Sequence, residues 1–110
     1  MADKIKLVRN DTRPSLVCTL TDETTGIAIG LTGATVRMKF RAAGDTTVRS
    51  ILTGTVTDPA NGVVVFFWAT DPTSLAGDAG DYEGEIEITF QDGQIQTVYD
   101  LLKFKLREEF

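Results

Sequence analysis

Three carboxylates, Glu83, Glu85 and Glu87, occupy alternate positions of one run. On an extended strand, side chains two residues apart share a face at a spacing of ~6.7 Å, close to the carboxyl separation that inverting glycosidases use. That chemistry also needs a cleft, one acid of raised pKa and aromatic platforms for a sugar ring, whereas an alternating Glu stripe is what any solvated strand face shows. The solvated face is the preferred reading. Asp78, Asp81 and Glu83 are close enough in sequence for a calcium loop, but they lack the alternating oxygen ligands and turn glycine of an EF-hand. A Gly/Asp-rich turn before a strand explains them more simply, and neither a metal nor a cofactor is expected. The chain has no histidine, which removes the Ser-His and Cys-His nucleophile systems and the commonest transition-metal ligand. Its one cysteine, Cys18, alternates with Leu16 and Leu20 as a small core residue does. No catalytic residue, and hence no enzyme, is expected.

Two basic stripes, Arg37-Lys39-Arg41 and Lys103-Lys105-Arg107, have the spacing of phosphate-contacting faces, yet cross-strand pairing with the Glu stripe or plain solvation explains them. The formal net charge of −5 opposes a general electrostatic hold on nucleic acid or anionic lipid. Neither is expected as a partner. No apolar run reaches the ~20 residues of a membrane span, and Met1-Ala2-Asp3-Lys4 opens no leader-like apolar stretch. A protein made in and retained by the cytoplasm is expected, unless it leaves inside something larger.

The elements that would carry these stripes have period two wherever they show a period, separated by Gly, Asp, Asn and Pro at the spacing of sandwich strands. Strands are predicted at Lys4 to Val8, Ser15 to Leu20, Ala34 to Arg41, Arg49 to Thr57, Val63 to Trp68, Tyr82 to Phe90 and Ile95 to Leu106. Seven strands in 110 residues, with one helical turn at Asp71 to Leu75, predict a single all-β domain over residues 1–110. Its fold is a two-sheet antiparallel, immunoglobulin-like sandwich. Asp92-Gly93 suits a type I′ turn, which sets Phe90 opposite Ile95, Ile88 opposite Thr97 and Ile86 opposite Tyr99. The apolar phase then slips beyond Tyr99, which predicts a bulge near Asp100-Leu101.

One run does not alternate. Val63 to Trp68 is apolar at every position, although a strand with one wet face should not be. With Val63, Val65 and Phe67 in the core, Val64, Phe66 and Trp68 point outward as an apolar patch of the kind that marks an interface. Cover by the Asp71 to Ala79 loop or the amino-terminal arm is the alternative to cover by a neighbouring subunit. Exposed Trp68, Tyr82 or Tyr99 would also suit a carbohydrate-binding module, a second function class beside association.

Three stretches resemble a known family: Asn10-Asp11-Thr12-Arg13-Pro14 leading into LVCTLTD, LTGATVRMKF from Leu31 to Phe40, and GDYEGEIEITFQDGQIQT from Gly80 to Thr97. Together they resemble the amino-terminal domain of phage baseplate upper proteins, a β-sandwich module that begins a longer protein, whereas this sequence ends at Phe110. The resemblance implies a bacteriophage structural protein of the virion, made in the host cytoplasm and placed in tail, neck, baseplate or capsid decoration. It implies no catalytic residues. Partners are then other virion proteins, with the chain acting as a homo-oligomer or in multiple copies of one particle.

Overall fold

The computed structural model describes residues 4–110; Met1 to Asp3, where the leader reading begins, lie outside the described residues. The described residues form nine strands: β1 (Ile5–Val8), β2 (Leu16–Thr19), β3 (Thr35–Ala42), β4 (Ser50–Thr53), β5 (Thr55–Asp58), β6 (Val63–Phe66), β7 (Gly80–Thr89), β8 (Ile95–Thr97) and β9 (Leu102–Arg107). They make two sheets, one ordered β1-β9-β7-β3-β4 with β8 also pairing β7, the other ordered β2-β6-β5. The two-sheet all-β sandwich expected from the alternation is the architecture observed. Among the described residues only short 3-10 turns interrupt it, at Pro59–Asn61, Trp68–Thr70 and Pro72–Leu75. In the last of these Asp71 accepts the Thr73 amide, and Pro72 fills the first helical position, where no donor is needed.

Seven apolar runs become nine strands because two of them break. The run from Arg49 to Thr57 begins in the large sheet as β4 and ends in the small sheet as β5, crossing at Gly54. A Cβ there would stand 2.5 Å from Val64 Cγ2 and 2.9 Å from Phe66 Cε1, so the crossing is closed to any side chain. Gly54→Ala is therefore expected to destabilise the fold by about 1–3 kcal/mol through overpacking, measurable by urea titration with an unchanged m value.

The run from Ile95 to Leu106 breaks between β8 and β9. Ile88 pairs with Gln96 and Gly84 with Leu102, so four steps along β7 are matched by six along its partner. An excursion of two extra residues leaves parity unchanged, and the expected one-residue bulge does not occur. The hairpin register also differs from expectation: Thr89, not Phe90, lies opposite Ile95, and Glu87 opposite Thr97. Gly93 has φ of 89° while Asp92 does not have positive φ. The Gly93 amide bonds to the Phe90 carbonyl and the Phe90 amide to the Gln94 carbonyl, a turn with a glycine bulge instead of type I′. Ile95 consequently faces outward and is 65% exposed.

One pair was not foreseen as parallel. β1 runs parallel to β9, with Ile5 opposite Phe104 and Leu7 opposite Leu106, while the other strand pairs are antiparallel.

The core lies between the sheets. Val36, Met38 and Phe40 of β3, Ile86 and Ile88 of β7, and Phe104 and Leu106 of β9 face Leu16, Cys18, Val64 and Phe66 of the small sheet, all buried. At its centre Phe40 stacks on Tyr82 at 5.1 Å between ring centroids and meets Trp68 and Phe104 edge-on at 5.2 and 5.3 Å. Gly84 belongs to this packing, since a Cβ there would come within 2.9 Å of Met38 Sδ and 3.1 Å of Phe104 Cε2.

Candidate functional site

The outer face of the large sheet carries the ionisable residues singled out in the sequence. β3 and β7 pair Arg37 with Glu87, Lys39 with Glu85 and Arg41 with Glu83, and β9 adds Lys103 opposite Glu83. Opposite residues of an antiparallel pair share a face, so the basic and acidic stripes interleave. Arg41 reaches one oxygen of Glu83 through Nη2 at 2.7 Å, and Lys103 reaches the other at 3.3 Å. Glu87 receives Arg37 at 3.4 Å and Lys39 at 3.5 Å. Across strands these pairs neutralise the Arg37-Lys39-Arg41 stripe and Lys103, so β3 and β7 offer phosphates no uniformly basic surface.

The electrostatics of Glu83 run opposite to those of a general acid. Burial beneath its neighbours pushes the carboxyl up, but the hydrogen bonds and charges of Arg41 and Lys103 outweigh it and hold Glu83 below the ordinary value of 4.5. A general acid working near neutrality needs the reverse shift. Asp81 is likewise lowered, first by its hydrogen bond from Lys4, at 2.9 Å, and Glu109 by its hydrogen bond from Asn10. Because the folded pKa is depressed, each ionised carboxylate contributes stability above its unfolded value, and that contribution is lost as pH falls through the folded value. The thermal midpoint is expected to fall on acidification below about pH 4.5, and the gap between wild type and Glu83→Gln to narrow over the same interval. A gap that widens there would show that Glu83 is not held in its ionised form.

Two of the three carboxylates read as a calcium loop are otherwise engaged. Asp81 pairs with Lys4, Glu83 with Arg41 and Lys103, and the Asp78 carbonyl accepts the Tyr82 hydroxyl at 2.7 Å. Among the described residues no group of three His, Cys, Asp or Glu side chains is placed to hold a metal ion. Cys18 is buried, and burial pushes its thiol up to about 11, which leaves it protonated and a poor nucleophile.

The apolar strand is where structure and sequence reading part. Val64 and Phe66 are fully buried and Trp68 is 1% exposed, so the three residues expected at an interface belong to the core. The pairing of β6 with β2 fixes this parity. Leu16 lies opposite Phe66 and Cys18 opposite Val64, and Leu16 and Cys18 point inward. Directly opposite residues project to the same side, so Phe66 and Val64 must follow. Trp68 continues the inward parity and sits against Phe40 and Phe104. Its indole N–H has no hydrogen-bond partner among the described residues, so the side chain serves here as apolar bulk.

The outward positions of the small sheet are the alternate residues. Phe67 is 47% and Val17 62% exposed, while Val63 and Val65 are half-buried. Of the three aromatics weighed for glycan stacking, Trp68 and Tyr82 are buried and Tyr99 alone is exposed. It lines an open concavity with Asp81, Tyr82, Asp100, Leu101 and Lys103, while the Tyr82 ring is stacked inward on Phe40.

Neither a protein-family model nor a curated protein matches the sequence. Among solved structures, the fold is similar to the N-terminal domain of phage TP901-1 ORF48, with a TM-score of 0.63 and 16% sequence identity. The match covers 98% of this chain and 86% of that one. The two share a fold across nearly the whole length of this chain.

Proposed function

We propose, from this shared fold, that the chain is a structural protein of a bacteriophage particle, a single sandwich domain over residues 1–110 that works by protein–protein association. The observation that carries the proposal is the extent of the likeness to a phage domain, which leaves only 2% of this chain unmatched. The three sequence stretches that resemble baseplate upper proteins support the same reading and favour tail or baseplate placement. The chemistry is consistent with it. Of the alternating carboxylates, Glu83 and Glu87 are drawn into cross-strand ion pairs, and the thiol is protonated and buried. What remains to offer a partner is shape, sheet edges and exposed apolar side chains such as Val17 and Phe67.

In this reading the protein is made in the host cytoplasm and ends in the virion, in several copies and in contact with other virion proteins. Reconstitution tests it. Particles assembled without the protein are mixed with purified protein and sedimented. The protein is expected to co-sediment with them at a saturable, fixed ratio; recovery of all of it in the unsedimented fraction contradicts the proposal.

A further inference from the structure

We infer that the free edge of β2 is a homotypic pairing site, through which two copies join their three-stranded sheets into one six-stranded sheet about a two-fold axis. The inference rests on the association reading, to which it gives a partner. It begins from strand order. In immunoglobulin constant-type sandwiches the first strand borders the second, in the order ABED. Here β1 pairs with β9 in the other sheet, and β2 is left at the end of its own.

The backbone groups on that edge can be identified. The Leu20 amide donates to the Gly62 carbonyl at 2.8 Å, toward β6. Since hydrogen-bonding direction alternates along a strand, Leu16 and Cys18 also bond toward β6, and Val17 and Thr19 turn both N–H and C=O to the open side. Proteins ordinarily blunt such an edge with charge, proline, a bulge or cover. The other edges differ: β1 carries Lys6, β5 shifts register between Val56 and Asp58, β4 is tied through Arg49 and Ser50 to the Pro72–Leu75 turn, and β8 is only three residues long. From Ser15 to Thr21 there is neither a charge nor a proline.

A second copy is the occupant that the charges select. Arg13 precedes the uncharged segment and Asp22-Glu23 follows it. Antiparallel pairing of β2 with itself directs the basic end of each copy to the acidic end of the other, and no like charges meet within the strand. The pairing also sets the exposed Val17 of one copy against Val17 or Thr19 of the second, and makes the outer apolar stripes contiguous.

Sedimentation velocity of the purified full chain over a concentration series tests this, and its failure would leave particle binding unaffected. Wild type is expected to pass from monomer to dimer, with the Val17 and Thr19 amides gaining protection from hydrogen exchange in the dimer. Thr19→Pro removes an N–H that the monomer's own ladder does not use, and Val17→Lys sets like charges near the axis. Each is expected to weaken dimerisation by about tenfold or more, with circular dichroism and thermal midpoint close to wild type. Should Thr19→Pro fail to fold, Val17→Lys and the amide protection decide. A wild type that stays monomeric throughout, or dimers that persist in Val17→Lys without protection at Val17 and Thr19, overturn the inference.

Discussion

Trp68→Glu is expected to unfold the protein, while Phe67→Glu, one residue earlier, is expected to leave it folded. Trp68 is 1% exposed and enclosed by Phe40 and Phe104 at 5.2 and 5.7 Å, whereas Phe67 is 47% exposed on the outside of the small sheet. A carboxylate at position 68 would lose its hydration with no cation opposite and would forfeit the apolar burial of the indole. The combined cost is above about 4–5 kcal/mol, against a total stability on the order of 5–15 kcal/mol for a domain of ordinary size. The same carboxylate at position 67 keeps access to water, and its cost is on the order of 1 kcal/mol. Circular dichroism and urea titration of the two variants separate these outcomes. Equal loss in both would mean that the parity of β6 is not set by its pairing with β2.

Phe40→Ala has the next largest expected effect, about 3–5 kcal/mol, as truncations of fully buried aromatics cost. The value belongs at the upper end because the ring joins both sheets: it stacks on Tyr82 of β7, meets Phe104 of β9 and is crossed by Trp68, which follows β6. Removing it forfeits three aromatic contacts besides the buried area. Gly84, directly opposite Phe40 on β7, has no side chain with which to fill the cavity. Near-ultraviolet circular dichroism should lose intensity together with stability, since the Trp68 indole loses its rigid neighbour. A loss under about 1 kcal/mol would show that the cluster does not hold the sheets together.

The strands that could be read from the sequence alone are those whose phase is written locally. β3 and β7 alternate over eight and ten residues, and their inner faces, Val36-Met38-Phe40 and Ile86-Ile88, follow that alternation. The basic and acidic stripes follow from the same phase, and their pairing was open to inference because β3 and β7 are long enough to lie side by side. β6 carries no phase of its own, being apolar at every position. Its orientation is set by Leu16 and Cys18 across the sheet, and the inward parity also buries the larger side chains, Phe66 and Trp68, where Gly54 makes room for Phe66. Side-chain volume was the available signal for that choice.

The hairpin register turned on one backbone angle. Asp-Gly admits two turn geometries, and the one adopted needs positive φ only at Gly93. The parallel pairing of β1 with β9 joins segments nearly a hundred residues apart, so no local pattern reports it. That same pairing leaves the β2 edge open, which is why the candidate association edge was not visible in the sequence while the paired carboxylates were.

The measurement that bears most directly on the account is the protein content of gradient-purified phage particles, determined by quantitative mass spectrometry after stringent washing. The account predicts peptides of this chain in the particle fraction at a constant multiple of the other structural proteins from one preparation to the next. Recovery of the chain only from the soluble lysate, with none above background in infectious particles, would contradict a structural role in the virion.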